Sequence, residues 1–166
     1  GLMVPSPDFR FRPATSADLP LLAAALLANL NAVRPTVTAN TLETDPRFRH
    51  YVADFAGPHD FGVVAETPTG EPLGVAWARL STHSDPAPGY LGDDTPEVLI
   101  TVFEGQRGLG IGYELLIEIE KLAIGRGFTR LSLWVEDGNR SRRLYERRGY
   151  RPAEGAIDTR TMVKKL

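Results

Sequence analysis

Val98-Leu99-Ile100-Thr101-Val102-Phe103, followed by Glu104-Gly105-Gln106-Arg107-Gly108-Leu109-Gly110-Ile111-Gly112, is the stretch on which the fold turns. Its first part is almost continuously apolar, as expected of a central strand covered on both faces. After the glycines, Ile111, Leu115, Ile119 and Leu122 recur at helical spacing, with Glu114, Glu118 and Lys121 off the stripe. Strand, glycine-rich turn and helix in that order describe a phosphate-binding turn. Glycines permit a tight backbone path, and the free amides and positive dipole end of the following helix can hold a diphosphate. Spacing separates the known kinds. Gly105 and Gly110 have the Walker A gap, but Ile111-Gly112 stands where Lys-Ser/Thr must be. The dinucleotide pattern G-x-G-x-x-G fails in both registers, since Tyr113 and Leu115 stand where the third glycine is needed.

Working outward, Phe9 and Phe11 alternate with Arg10 and Arg12 in a short edge strand, and Ser16-Ala17-Asp18 offers a cap for a helix reaching about Leu30. Residues 31–44 are polar and β-branched with no strong period. A helix is expected over 45–55, stopped by Gly57-Pro58. Strands over 61–66 and 73–80, joined by Pro68-Thr69-Gly70-Glu71, read as a hairpin. Residues 81–96 form a long loop with three prolines, two glycines and three aspartates, a length that invites a functional reading. Gly125 and Gly127 end the helix after the glycine turn. Leu131, Leu133 and Val135 then alternate in a strand whose helical crossover makes it parallel to the 98–103 strand. A helix over 140–148 ends at Gly149, and 150–166 returns as strands around Glu154-Gly155.

What the turn does fit is Arg/Gln-x-x-Gly-x-Gly/Ala, met by Arg107, Gly110 and Gly112. With the Leu144-Tyr145 to Gly149-Tyr150 segment downstream, the chain resembles the GNAT superfamily of N-acetyltransferases. The likeness spans most of the chain, and its specific motifs lie in 97–152. It implies an α+β fold: one mixed sheet of about six to seven strands, antiparallel at the start and with a parallel central pair, flanked by about four helices. The domain is expected over 9–166, behind a tail of residues 1–8.

The resemblance also assigns roles. The amides of Arg107, Gly108, Leu109, Gly110, Ile111 and Gly112 would bind the pyrophosphate of coenzyme A, with side chains at Gly110 or Gly112 obstructing its approach. The main-chain N–H of Val102 would polarise the thioester carbonyl, where the strand splays from its parallel neighbour. The family commonly has Pro two residues later, and this chain has Glu104. Tyr145 would protonate the departing thiolate, a feasible transfer between groups of similar acidity. Asn139 either contacts the pantetheine or caps its helix. Glu97, at the start of the central strand, would take the proton from the amine, with Asp93 and Asp94 as neighbouring alternatives. Acetyl-CoA is thus the expected cosubstrate, with no metal, and a small amine or a protein N-terminus the expected acceptor. Asp85, Asp93 and Asp94 would favour a cationic amine if the 81–96 loop borders its pocket. A non-catalytic acyl-CoA sensor of the same fold is the alternative.

Composition sets limits on these readings. A length of 166 residues suits one domain, and 42% hydrophobic with 24% charged residues is an ordinary globular balance. A net charge of -2 gives no general footprint for nucleic acid. Arg140, Arg142, Arg143, Arg147, Arg148 and Arg151 form a basic cluster, mostly a solvated helix face, that would meet the coenzyme's 3′-phosphate or RNA. Cysteine is absent, which removes a cysteinyl acyl-enzyme, and His50, His59 and His83 are too scattered for a metal site. No membrane span or signal-peptide pattern is expected, so a cytoplasmic protein is the default, and a homodimer is left open.

Overall fold

A computed structural model describes residues 8–32, 37–106 and 110–166. The proposed tail over 1–8 therefore falls almost wholly outside the described residues. In chain order the elements are β1 (Arg10–Pro13), α1 (Leu19–Asn31), α2 (Ala39–Thr44), α3 (Pro46–Val52), β2 (Phe61–Glu66), β3 (Pro72–Arg79), β4 (Glu97–Val102), α4 (Ile111–Gly125), β5 (Arg130–Trp134), α5 (Arg142–Arg147), β6 (Arg151–Pro152) and β7 (Thr161–Lys165). The seven strands form one sheet in the order β1-β2-β3-β4-β5-β7-β6. Among the described residues β4 and β5 pair in parallel and the other pairs are antiparallel. The fold is the expected mixed α+β sheet, with five α-helices among the described residues.

Two apolar layers sandwich the sheet. Strand alternation sends Val63, Ala65, Ala76 and Ile100 toward α4, where they meet Leu115, Leu116 and Ile119. Val64, Val75, Trp77 and Leu99 point the other way, against Leu22, Leu26 and Phe48 of α1 and α3. Gly74 makes the α4 contact close: a Cβ there would lie 2.8 Å from the Thr101 carbonyl oxygen and 3.0 Å from Leu115 Cδ1.

The N-cap of α1 is Asp18, within the expected Ser16-Ala17-Asp18, and Thr15 caps a short 3₁₀ turn before it: Thr15 Oγ1 accepts from Ala17 N at 3.3 Å while Asp18 Oδ2 accepts from Thr15 N at 2.8 Å. Asp18 closes this capping box because Arg12 also holds its carboxylate at 2.8 Å, and a short 3₁₀ turn over Ser16–Asp18 leads into α1. Within 31–44, read as lacking a period, α2 forms; its six residues bury only Leu42, too little for a periodic signal. Helix α3, capped by Asp45 accepting from Arg47 N at 3.0 Å, stops at Val52. Asp54 adopts φ 59°, a left-handed conformation incompatible with helix, so the break comes before Gly57-Pro58.

Functionally, the main feature is the β4–β5 seam. The two strands share one register pair, Glu97 with Ser132, and Ser132 N donates to Pro96 O at 3.0 Å. Beyond it β5 follows β7, with which it makes five register pairs from Arg130–Lys165 to Trp134–Thr161. Asn29 of α1 reaches into the gap and donates from Nδ2 to Ile100 O at 3.4 Å. The strands therefore splay although Glu104 replaces the family's usual proline.

Candidate active site

Glu97 opens β4 with its side chain turned inward, 4% exposed. Tyr51 of α3 donates its hydroxyl to Glu97 Oε2 at 2.5 Å, and Gly89 of the 81–96 loop donates its N–H to Oε1 at 3.0 Å. Burial pushes the Glu97 carboxyl up from its ordinary range to about 7, opposed by the Tyr51 and Gly89 hydrogen bonds and by the neighbouring His50. Both donors are anchored. The Tyr51 carbonyl accepts from Trp77 Nε1 at 2.7 Å, and the Gly89 carbonyl accepts from Ser132 Oγ at 2.8 Å. A Cβ on Gly89 would stand 2.5 Å from Glu97 Cδ, so only glycine allows this approach.

The gap between β4 and β5 is a cleft lined by Leu26, Asn29 and Leu30 of α1, Tyr51, Glu97 to Ile100, and Trp134, Glu136, Asn139 and Tyr145 across from them. Glu97 and Tyr145, far apart in sequence, thus face one space. Tyr145 is 5% exposed on α5 with its ring set edge-on to Tyr150 at 6.3 Å between centroids. Burial pushes its phenol well above the usual range, with a Ser141 side-chain hydrogen bond opposing, so the hydroxyl keeps its proton. The N-cap of α5 is Ser141 rather than Asn139, whose Oδ1 accepts from Ser141 N at 2.8 Å in the turn before the helix. The Asn139 side chain also lines the cleft.

Of the glycine turn, Arg107, Gly108 and Leu109 lie outside the described residues. Gly110, at φ 79°, is the N-cap of α4, and its carbonyl accepts the first helical bond from Glu114 N at 3.1 Å. A Cβ at Gly110 would meet nothing within 4 Å, so the left-handed backbone is what calls for glycine there. Gly112 differs from expectation: its Cβ would point into protein, 3.1 Å from Leu144 Cδ2 and 3.4 Å from Val102 Cγ2. It lets α4 close on β4 and the α5 segment. Ile111 and Gly112 are buried in the first helical turn, whose amides have no helical acceptor. The Val102 amide follows from strand alternation. Phe103 N donates to Leu73 O on β3 at 3.0 Å, so Val102 N–H points to the opposite side, where β5 has departed.

The loop aspartates do not line the cleft. Asp93 accepts from Tyr90 Oη at 2.6 Å and His83 N at 2.9 Å, Asp85 lies 3.0 Å from His50 Nε2, and Asp94 lies 3.8 Å from Arg130. The loop contributes Gly89 instead. The arginine cluster is also less uniform than a solvated face. Arg148 is bound to Glu120, Arg147 and Arg148 lie over the Tyr113 ring at 5.5 and 5.3 Å, and Arg151 donates to Glu146 O at 3.0 Å. Tyr51, Asn29, Trp134 and Glu136 are the cleft residues that sequence reasoning misses. Nothing in the sequence spacing of Tyr51 links it to Glu97.

Comparison with known proteins accords with this architecture. The sequence model described as Acetyltransferase (GNAT) family matches residues 26–150. A comparison with curated proteins finds no match. Among solved structures, a GCN5-related N-acetyltransferase from Ralstonia eutropha JMP134 is 26% identical, with TM-score 0.68 over 88% of this chain and 94% of that one. A ribosomal-protein-alanine N-acetyltransferase from Brucella melitensis is 23% identical, with TM-score 0.64 over 95% and 99% of the two chains. The PaiA N-acetyltransferase from Thermoplasma acidophilum, solved in complex with coenzyme A, is 14% identical, with TM-score 0.69 over 96% and 99%. With the family match spanning most of the chain and the splayed parallel pair at its centre, the chain belongs to the Acetyltransferase (GNAT) family.

Proposed function

We propose that the protein is an N-acetyltransferase that moves an acetyl group from acetyl-CoA to a primary amine by direct transfer in a ternary complex. The observation that carries this reading is the convergence of Glu97 and Tyr145 on one cleft at the β4–β5 splay. One is a carboxyl with proton affinity brought close to neutrality, the other a phenol kept protonated. A thioester entering between the strands would meet an acceptor amine arriving from the α1–α3 side. Glu97 accepts a proton from the amine, directly or through water. The freed nitrogen attacks the carbonyl carbon, the C–N bond forms, the C–S bond breaks and the surplus proton left on the nitrogen passes to water. Tyr145 then gives its proton to the departing thiolate. The Val102 amide is the proposed donor to the carbonyl oxygen, a contribution of about 3 kcal/mol where such donors have been removed elsewhere. The amides of Gly110, Ile111 and Gly112 at the head of α4 suit the diphosphate of the coenzyme.

Thiol release from acetyl-CoA, assayed over a panel of polyamines, amino acids, aminoglycosides and peptides with free N-termini, tests the activity and finds the acceptor. Tyr145→Phe is expected to lower kcat by about 10²- to 10⁴-fold with little change in acetyl-CoA affinity by calorimetry. No heat of binding with acetyl-CoA or free CoA at millimolar concentration would overturn the reading. Binding without transfer to any amine would point instead to an acyl-CoA sensor.

A further inference from the structure

The carboxylate of Glu97 is gripped from two separate parts of the chain. Tyr51 comes from the last turn of α3 and reaches Oε2, while Gly89 comes from the 81–96 loop and reaches Oε1. Neither contact is incidental to folding of its own segment. The α3 end is fixed to β3 through backbone oxygens: Tyr51 O accepts from Trp77 Nε1 at 2.7 Å, and His50 O accepts from Arg79 Nη1 at 3.2 Å. These bonds survive loss of the Tyr51 hydroxyl. The hydroxyl itself is buried against the carboxylate, and burial together with the Glu97 charge pushes the phenol well above its usual range, which keeps it a donor.

We infer that Tyr51 is a positioning residue for Glu97, and that with the Gly89 amide it forms a two-point clamp deciding which carboxylate lone pairs face the cleft. The inference rests on the reading of Glu97 as proton acceptor. Without the clamp the carboxylate of a flexible glutamate would rotate among several orientations; with it, one direction on each oxygen is occupied and the remaining ones are fixed. Both bonds favour the charged form and so oppose the effect of burial. Several titratable or charged groups surround Glu97. They are Tyr51 and His50 on α3, Tyr145 and Glu136 across the cleft, and Arg79, its register partner on β3, whose guanidinium is directed to Asp60 at 3.1 Å.

The direct test is carbon-13 NMR titration of protein labelled at the glutamate carboxyl carbon, with Glu97 assigned by the signal lost in Glu97→Gln. Tyr51→Phe is expected to raise the Glu97 midpoint by about one pH unit, the effect of one hydrogen bond to a charged acceptor. An unmoved midpoint overturns the clamp. In kinetics, with acetyl-CoA and whichever panel amine turns over, Tyr51→Phe is expected to lose about tenfold in kcat/KM near pH 6 and almost nothing above pH 9, since its acid limb moves upward. An equal loss at every pH would indicate a merely structural role and would also overturn it. Gly89→Ala, whose Cβ would collide with the carboxylate, is the second variant and is expected to displace the same midpoint. Should Glu97→Gln retain full activity, the proton-acceptor reading fails while the NMR titration still decides the clamp.

Discussion

Glu97 illustrates how one residue is placed at a cost to stability. Its folded-state proton affinity is raised, from an ordinary value near 4.5 to about 7. Between those values the folded chain holds a proton that the unfolded chain has released, so this group's contribution to stability falls as pH rises through the window and stays lost above it. Carboxylates such as Asp158, held down to about 2 by Arg160, work in the opposite sense at lower pH, so the effect must be isolated by difference. Glu97→Gln keeps an acceptor for Gly89 and removes the buried charge. It is expected to be more stable than the parent at pH 8 by up to roughly 3 kcal/mol and indistinguishable near pH 4.5, while losing activity. Urea unfolding of both proteins at the two pH values measures this; a gap that does not grow with pH would contradict it. At this scale the sequence is only partly informative. The Tyr145 and Glu97 candidates come from a matched linear pattern. Tyr51 does not, because its relation to Glu97 spans 46 residues and exists only once α3 packs on the sheet.

The elements were legible wherever periodicity had room to repeat. Helix α4, with its stripe of Ile111, Leu115 and Ile119, and the 61–66 and 73–80 hairpin needed no tertiary information to be located. Helix α2 did, since a six-residue helix with one buried side chain carries no period. The cleft was legible only through family likeness, because β5 leaves β4 for β7 through pairings spread over distant strands. Tight packing of α4 on β3 next to that cleft makes a further prediction. Gly74→Ala would place a methyl 2.8 Å from Thr101 O and 3.0 Å from Leu115 Cδ1, with backbone on one side and a packed helix on the other. Overpacking of this kind is expected to cost about 1–3 kcal/mol, read as a lower urea midpoint with an unchanged slope. A neutral result would mean that α4 can ride outward from the sheet.

Across the whole molecule, the charge network around Glu120 joins elements that are distant in the chain. Glu120 lies on the inner side of α4, 5% exposed, and binds Arg148 beyond α5, Lys164 Nζ of β7 at 2.6 Å and, at 3.3 Å, the Tyr150 hydroxyl. One carboxylate thus links the helix behind the glycine turn to the segment that carries Tyr145 and to the strand that draws β5 away from β4. Its two cationic partners are mostly covered, with side-chain exposures of 23% and 19%, so removing the carboxylate would strand two positive charges in a low-dielectric setting. Glu120→Ala is therefore expected to destabilise the protein by about 3 kcal/mol, less than for fully buried partners. In thermal melts that corresponds to a fall in Tm of roughly 6–12 °C for a chain of this size. Glu120→Leu with Lys164→Met, which replaces much of the pair by apolar volume and leaves Arg148 its water-facing side, is expected to recover part of the loss. A double variant no more stable than Glu120→Ala would show that the network matters as a specific three-way tie rather than through uncompensated charge.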